Sequence, residues 1–237
     1  MSSFAFKLIA IVAMTCNHAA YIFAAQLPPA ALCALVGVGG FAFPIMAFLL
    51  VEGYKHTSNV RNYALRLLVF AVVAQIPYTL FLGHYPNVLF TLMIGLLALC
   101  AMDRIENQTA RMSAVAALFA ASIPCDWGLL GPLMVLLFRN DDRAGRKPIG
   151  ATALVAAIVA IMAGYELAQQ VVDPFNPLGI PSLAYAACCL ASGFALASYN
   201  GQRGKPLKYF FYAYYPAHIA VLGLAYLALF GTLPAVS

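Results

Sequence analysis

Two histidines stand inside long apolar runs, His18 in MTCNHAA and His218 in YYPAHIA. His18 follows Lys7 by eleven positions and His218 follows Lys208 by ten, about 16 and 15 Å along an α-helix. Two helices starting on the same side therefore carry both imidazoles to similar depth. A neutral imidazole there can take a proton from a nucleophile, provided that a neighbour such as Asn17, Thr15 or a tyrosine fixes its other nitrogen. The plainer reading is a pair of hydrogen-bonded packing histidines.

A second group lies in VEGYKHTSNVRNYALRLL, where Glu52, Lys55, His56, Arg61 and Arg66 fall on either side of one short turn. Arg66 sits about 7 Å deeper than Arg61 along a helix. Its guanidinium suits a phosphate, or else pairs with Glu52 inside the membrane. The cations Lys55, His56, Arg61 and Arg66 fit a polyphosphate donor such as a coenzyme A thioester; anionic lipid headgroups use the same chemistry. A third group lies at the opposite depth: His84, Tyr85, Asn87, Thr91, Asp126, Trp127, Glu166 and Asp173. This acidic face, free of Lys and Arg, suits an amine-bearing acceptor, although Asp126 also reads as a helix N-cap and Trp127 as an interfacial aromatic. Glu52, Tyr78, Asp126, Trp127 and Tyr215 are the candidate substrate contacts. Tyr209, Tyr212, Tyr214 and Tyr215 precede Pro216, which frees a carbonyl near Tyr212 at the depth of His218.

The elements that must hold these groups are membrane helices. The 237 residues are 64% hydrophobic and 9% charged, with a mean hydropathy of +0.87, a balance that excludes a soluble domain. Apolar runs near 4–25, 31–54, 62–82, 87–102, 110–123, 127–138, 149–171, 181–198 and 208–231 predict an all-α bundle of about nine transmembrane helices in a single domain, 1–237. Residues 1–24 read as a span rather than a cleaved leader, because Thr15, Asn17 and His18 interrupt the run. Lys55 and Arg61; Arg104 and Arg111; Arg139, Arg143, Arg146 and Lys147; and Arg203, Lys205 and Lys208 fall in every second connection. The positive-inside rule then puts the N-terminus in the cytoplasm and the C-terminus outside. With the basic residues used up in this way, the net charge of +5 gives no reason to expect nucleic acid. The runs 110–123 and 127–138 are short, about 18 to 21 Å as helix, and read as tilted spans or a re-entrant pair around Pro124–Gly128. The six cysteines show no metal or redox spacing.

The segments FPIMAFLLVEGYKHTSNVRNYALRLLVFAVVAQIPYTLF, NVLFTLMIGLLAL, CDWGLLGPLMVLLF and KYFFYAYYPAHIAVL, in this order, resemble the TraX family of bacterial inner-membrane proteins. That family is associated with N-terminal acetylation of pilin, so the resemblance implies an inner-membrane acyltransferase using acyl-CoA, acetyl-CoA first, with no metal. The acceptor stays open among a pilin N-terminus, a small amine and a sugar. Lys7, Ile9, Ala10 and His18 also resemble the first span of the acyltransferase type-three membrane enzymes, in which the histidine is the catalytic base. The resemblance makes His18 the expected general base; the position and depth of the neighbouring polar residues make Asn17 the expected orienting partner and His218 or a tyrosine the expected oxyanion stabiliser. TraX relatives show Asp-His-Ile-Gly where this chain has Asn17, His18, Ala19 and Ala20; an asparagine orients a ring without raising its basicity. The competing readings are a small-solute or proton-coupled transporter with a midplane histidine site, and an inactive membrane scaffold.

Overall fold

The computed structural model describes residues 1–139, 147–169, 179–205 and 208–234. Arg143, Arg146 and Asp173, and the side chains of Lys147, Lys208 and Tyr209, lie outside the described residues. The described chain is helical throughout: α1 (Ser3–Ile22), α2 (Pro29–Gly39), α3 (Ala42–Lys55), α4 (Val60–Phe81), α5 (Val88–Arg104), α6 (Gln108–Ser122), α7 (Leu130–Arg139), α8 (Lys147–Ala168), α9 (Ile180–Leu196) and α10 (Lys208–Phe230). Five rods are long and apolar enough to cross a bilayer: α1, α2 with α3, α4, α8 and α10.

The expected second span is thus two helices. The break falls at Gly40 and Phe41, where α9 crosses so closely that a Cβ on Gly40 would lie 2.3 Å from the Tyr185 carbonyl oxygen. Only a glycine admits that approach. Elsewhere the starts are capped as their residues dictate: the side chains of Ser2, Asn59, Asn87 and Asn107 accept from the first turns of α1, α4, α5 and α6.

The core gathers Phe6, Ile45, Leu92, Leu96, Leu99, Met134 and Phe138 between α1, α3, α5 and α7. Large apolar residues also cover the outside of α4, α8 and α10, including Ile76, Ile161 and Leu229. In a bilayer that surface meets lipid tails and needs no protein partner.

The basic connections meet at one end. Ser3 N–H donates to the Gln202 carbonyl at 2.8 Å and Asn200 N–H to the Met1 carbonyl at 3.0 Å, while Arg139 bridges Asp103 with Nε–Oδ1 at 2.8 Å. The connections without Lys or Arg meet at the other end, where Asp126 N–H donates to the Pro86 carbonyl at 2.8 Å. This ordering is the one the positive-inside rule requires of a chain whose first helix starts in the cytoplasm.

The run 127–138 forms only the ten residues of α7, about 15 Å long. Residues 123–129 make an irregular turn instead, so Asp126 lies four positions ahead of α7 and is not its N-cap. Gly131 lets this turn close: a Cβ there would lie 2.1 Å from Thr91 Cγ2. The Thr91 hydroxyl donates to the Asp126 carbonyl. Gly131→Ala is therefore expected to push Thr91 out of its rotamer, break that bond and destabilise the protein by about 1–3 kcal/mol. Thermal unfolding in detergent checks this, with Gly164→Ala, which meets open space, as the control.

Candidate functional site

His18 and His218 meet at the centre of the bundle, from α1 and α10. His18 Nδ1 and His218 Nε2 are 2.7 Å apart, and the ring planes differ by only 7°. The other nitrogen of His218, Nδ1, lies 2.8 Å from the Tyr214 carbonyl. A carbonyl only accepts, so His218 Nδ1 carries the proton and Nε2 of the neutral ring is an acceptor. His18 Nδ1 must then donate. Its Nε2 is left as the basic lone pair.

Both rings are held from the side. Tyr214 stacks on His218 at 5.1 Å and Tyr215 meets His18 edge-on at 6.0 Å. The Thr15 hydroxyl donates to the Ile11 carbonyl at 2.7 Å, so it accepts from the Tyr214 hydroxyl at 2.8 Å, a second tie between α1 and α10. Asn17 does not orient His18. Its amide nitrogen is enclosed against Gly39 and has no hydrogen-bond partner among the described residues. His218, expected at the oxyanion, is the residue hydrogen-bonded to His18 instead.

A cavity of about 1200 Å³ runs past this pair. His18, Asn17 and Tyr215 line it, whereas His218 sits behind His18 and does not. At the basic end the lining includes Lys7, Glu52, His56, Arg66, Arg203 and Lys205. At the opposite end it includes Tyr78, Tyr85, Asp126, Trp127 and Glu166. Two of the expected donor-site cations stand elsewhere. Lys55 is exposed and pairs with Glu52 at 3.2 Å, because α3 turns it along its own axis. Arg61 opens α4 on an exposed face off the cavity. His56 lines the mouth, 3.9 Å from Glu52.

Arg66 is not joined to Glu52. Its guanidinium lies 5.5 Å from the centre of the Tyr63 ring, and its buried Nε has no hydrogen-bond partner among the described residues. Lys7, Arg203 and Lys205 complete the basic mouth. The 198–205 connection reaches it because the N-terminus is hydrogen-bonded along 198–202, a closure over two hundred residues of sequence that no local pattern announces.

The opposite end is built on the turn 123–129. Trp127 holds φ at 70°, an uncommon conformation for a bulky residue, and so stacks on Phe43 at 4.0 Å with Tyr185 at 5.9 Å. Asp126 Oδ2 accepts from the Tyr78 hydroxyl at 3.4 Å. Burial pushes the Asp126 carboxyl up to about 6, against the opposing pull of the Tyr78 hydroxyl and the Trp127 N–H. The folded state thus favours the protonated form. The cost to stability is absent below about pH 4, the unfolded value, and fully developed above about pH 6. Asp126→Asn is expected to raise the melting temperature at pH 8 and to leave it unchanged at pH 4, as thermal scans at the two pH values would show.

Two curated relatives are similar to the chain along nearly its whole length. It is 31% identical to the probable fimbrial assembly protein FimC, serogroup H1, of Dichelobacter nodosus, covering 93% of this chain and 94% of the relative. It is 28% identical to protein TraX of Escherichia coli, covering 92% of this chain and 84% of the relative. No solved structure matches. The family described as TraX protein matches residues 2–226, which include both histidines, the basic mouth and the 123–129 turn, and the chain belongs to the TraX family.

Proposed function

We propose that this protein is an acyltransferase of the bacterial inner membrane, moving an acyl group, acetyl first, from cytoplasmic acyl-CoA to an amine that arrives from the opposite side. The observation that carries the reading is the proton arrangement at His18: one nitrogen committed to His218, and a basic Nε2 on a ring that lines a cavity with cations at one end and carboxylates at the other. The printed name of one relative, a probable fimbrial assembly protein, supports an acceptor among the components of fimbriae.

In this reading the phosphates of the donor rest against Arg66, Lys7, Arg203 and Lys205, where arginine can grip them with two parallel N–H bonds. The thioester then extends inward past the apolar residues Met14, Met46 and Leu50. The acceptor ammonium is drawn by Asp126 and Glu166. Trp127 and its stacked neighbours offer a ring face to the same cation. The Asp126 carboxylate takes the first ammonium proton, and the neutral amine nitrogen then attacks the thioester carbon. His18 Nε2 takes its proton, and His218 keeps the ring in the productive tautomer and shares the positive charge through the 2.7 Å contact. Tyr215, whose buried hydroxyl donates to no group among the described residues, is the donor for the carbonyl oxygen as it gains charge. Collapse forms the amide, breaks the C–S bond and returns the proton from His18 to the CoA thiolate.

A cavity lined from both ends also favours a second reading, carriage of a small solute. The two part in one experiment. Purified protein in lipid nanodiscs, given acetyl-CoA labelled in the acetyl group and a peptide with a free amino terminus, is expected to transfer label to the peptide and release free thiol in equal amount. A carrier or a scaffold would do neither, and that outcome would end the acyltransferase reading.

A further inference from the structure

The α5–α6–α7 unit stops short of its neighbours. α7 has ten residues and α8 twenty-two, about 15 and 33 Å. Both begin their contact at the basic end: Arg139 of α7 is bridged to Asp103, and the start of α8 packs on Gly193 near the end of α9. α7 therefore reaches less than half way up α8. Beyond that point one stripe of α8, namely Val159, Met162, Ala163 and Glu166, faces the cavity directly.

The cavity is open sideways there. Residues that line it are also exposed on the outside of the protein: Ile123 is 62% exposed, Met162 54% and Leu129 49%. All three are apolar, the surface expected where an opening faces bilayer rather than water. Inside the opening the ionisable groups change character. The charged residues lining this half are Asp126 and Glu166, with no lysine or arginine among the described residues. An amine fits such a lining, and a phosphate beside it does not.

We infer that the acceptor enters through this window from the outer leaflet, as a membrane-spanning or membrane-anchored segment that bears a free amine and no adjoining phosphate. Its apolar body stays in the bilayer while the ammonium passes Trp127 and Asp126 towards His18. The inference rests on the proposed acyl transfer to an amine and adds the route and the anchor.

Two measurements test it on the full chain in nanodiscs. In the first, Met162 is replaced by the photo-crosslinker benzoyl-phenylalanine, and the probe is a peptide of about twenty apolar residues, the length that spans a bilayer, with a free amino terminus. Capture at position 162 is expected, and capture at Val12, an equally exposed residue on α1, is not. This readout needs no catalysis, so a failed transfer assay leaves it standing. Equal capture at both positions, or capture at neither, overturns the inference. In the second, Met162→Trp and Leu129→Trp narrow the window. Transfer to the anchored peptide is expected to fall at least about tenfold (about 1.4 kcal/mol), while acetyl-CoA binding by thermal shift is unchanged. The aminophospholipid phosphatidylethanolamine is expected to accept no label. A water-soluble peptide accepted as readily as the anchored one, or Trp variants that transfer at the parental rate, would refute the window.

Discussion

His18→Ala is expected to give a folded protein that binds acyl-CoA and transfers about 10²- to 10⁴-fold more slowly, the range over which a positioned general base acts. The fold should survive because alanine is the best helix former and α1 keeps its second tie to α10 through Thr15 and Tyr214. The substitution leaves His218 Nε2 without its donor, a loss of about 1–3 kcal/mol, measurable as a lower melting temperature. His218→Leu separates the two roles. It keeps the base but removes the acceptor that holds the proton on His18 Nδ1, so the ring is free to turn or change tautomer. Transfer is expected to drop about tenfold or more with acyl-CoA affinity intact. A His18→Ala protein that transfers at the parental rate would return the pair to helix packing.

Arg66→Ala is expected to weaken acetyl-CoA binding about ten- to a hundredfold, the value of one or two hydrogen bonds to a charged group. It should not unfold the protein. Arg66 has a buried Nε with no partner, and its loss removes an uncompensated polar group, so the variant should melt no lower than the parent. Arg66→Lys restores the charge without the planar fork and should recover only part of the affinity. Higher salt should weaken the parent's binding, since the mouth residues Arg203 and Lys205 are exposed. Calorimetry on the three proteins at two salt concentrations gives all of these results. Unchanged affinity in Arg66→Ala would remove Arg66 from the donor site.

The differences between expectation and structure have specific causes. Closeness in sequence puts Lys55 and Arg61 beside Arg66, but α3 ends and α4 begins with their exposed faces turned away from the cavity, and of the three only Arg66, deeper on α4, reaches it. Adjacency in sequence pairs Asn17 with His18. Successive residues on a helix point about 100° apart, and Asn17 turns to Gly39 while His18 turns to α10. Asp126 reads as a cap when the helix is started at 127; the positive φ of Trp127 keeps the chain irregular for three residues more, to Leu129.

By itself the sequence determined that this chain is a helical membrane bundle, which ends carry positive charge, and that His18 and His218 share a depth. Each of these follows from one-dimensional quantities: the length of apolar runs, the sign of charge in alternate loops and a rise of about 1.5 Å per residue. Tertiary structure alone decided that the two imidazoles touch, which nitrogen is left basic, that Arg203 and Lys205 join Lys7 and Arg66, and that the cavity opens sideways above α7. Those depend on the rotation of each helix about its own axis and on which helices stop short. In a bilayer, where every helix is apolar on most faces, both are set by close contacts such as those at Gly39, Gly40 and Gly131, which hydropathy cannot register.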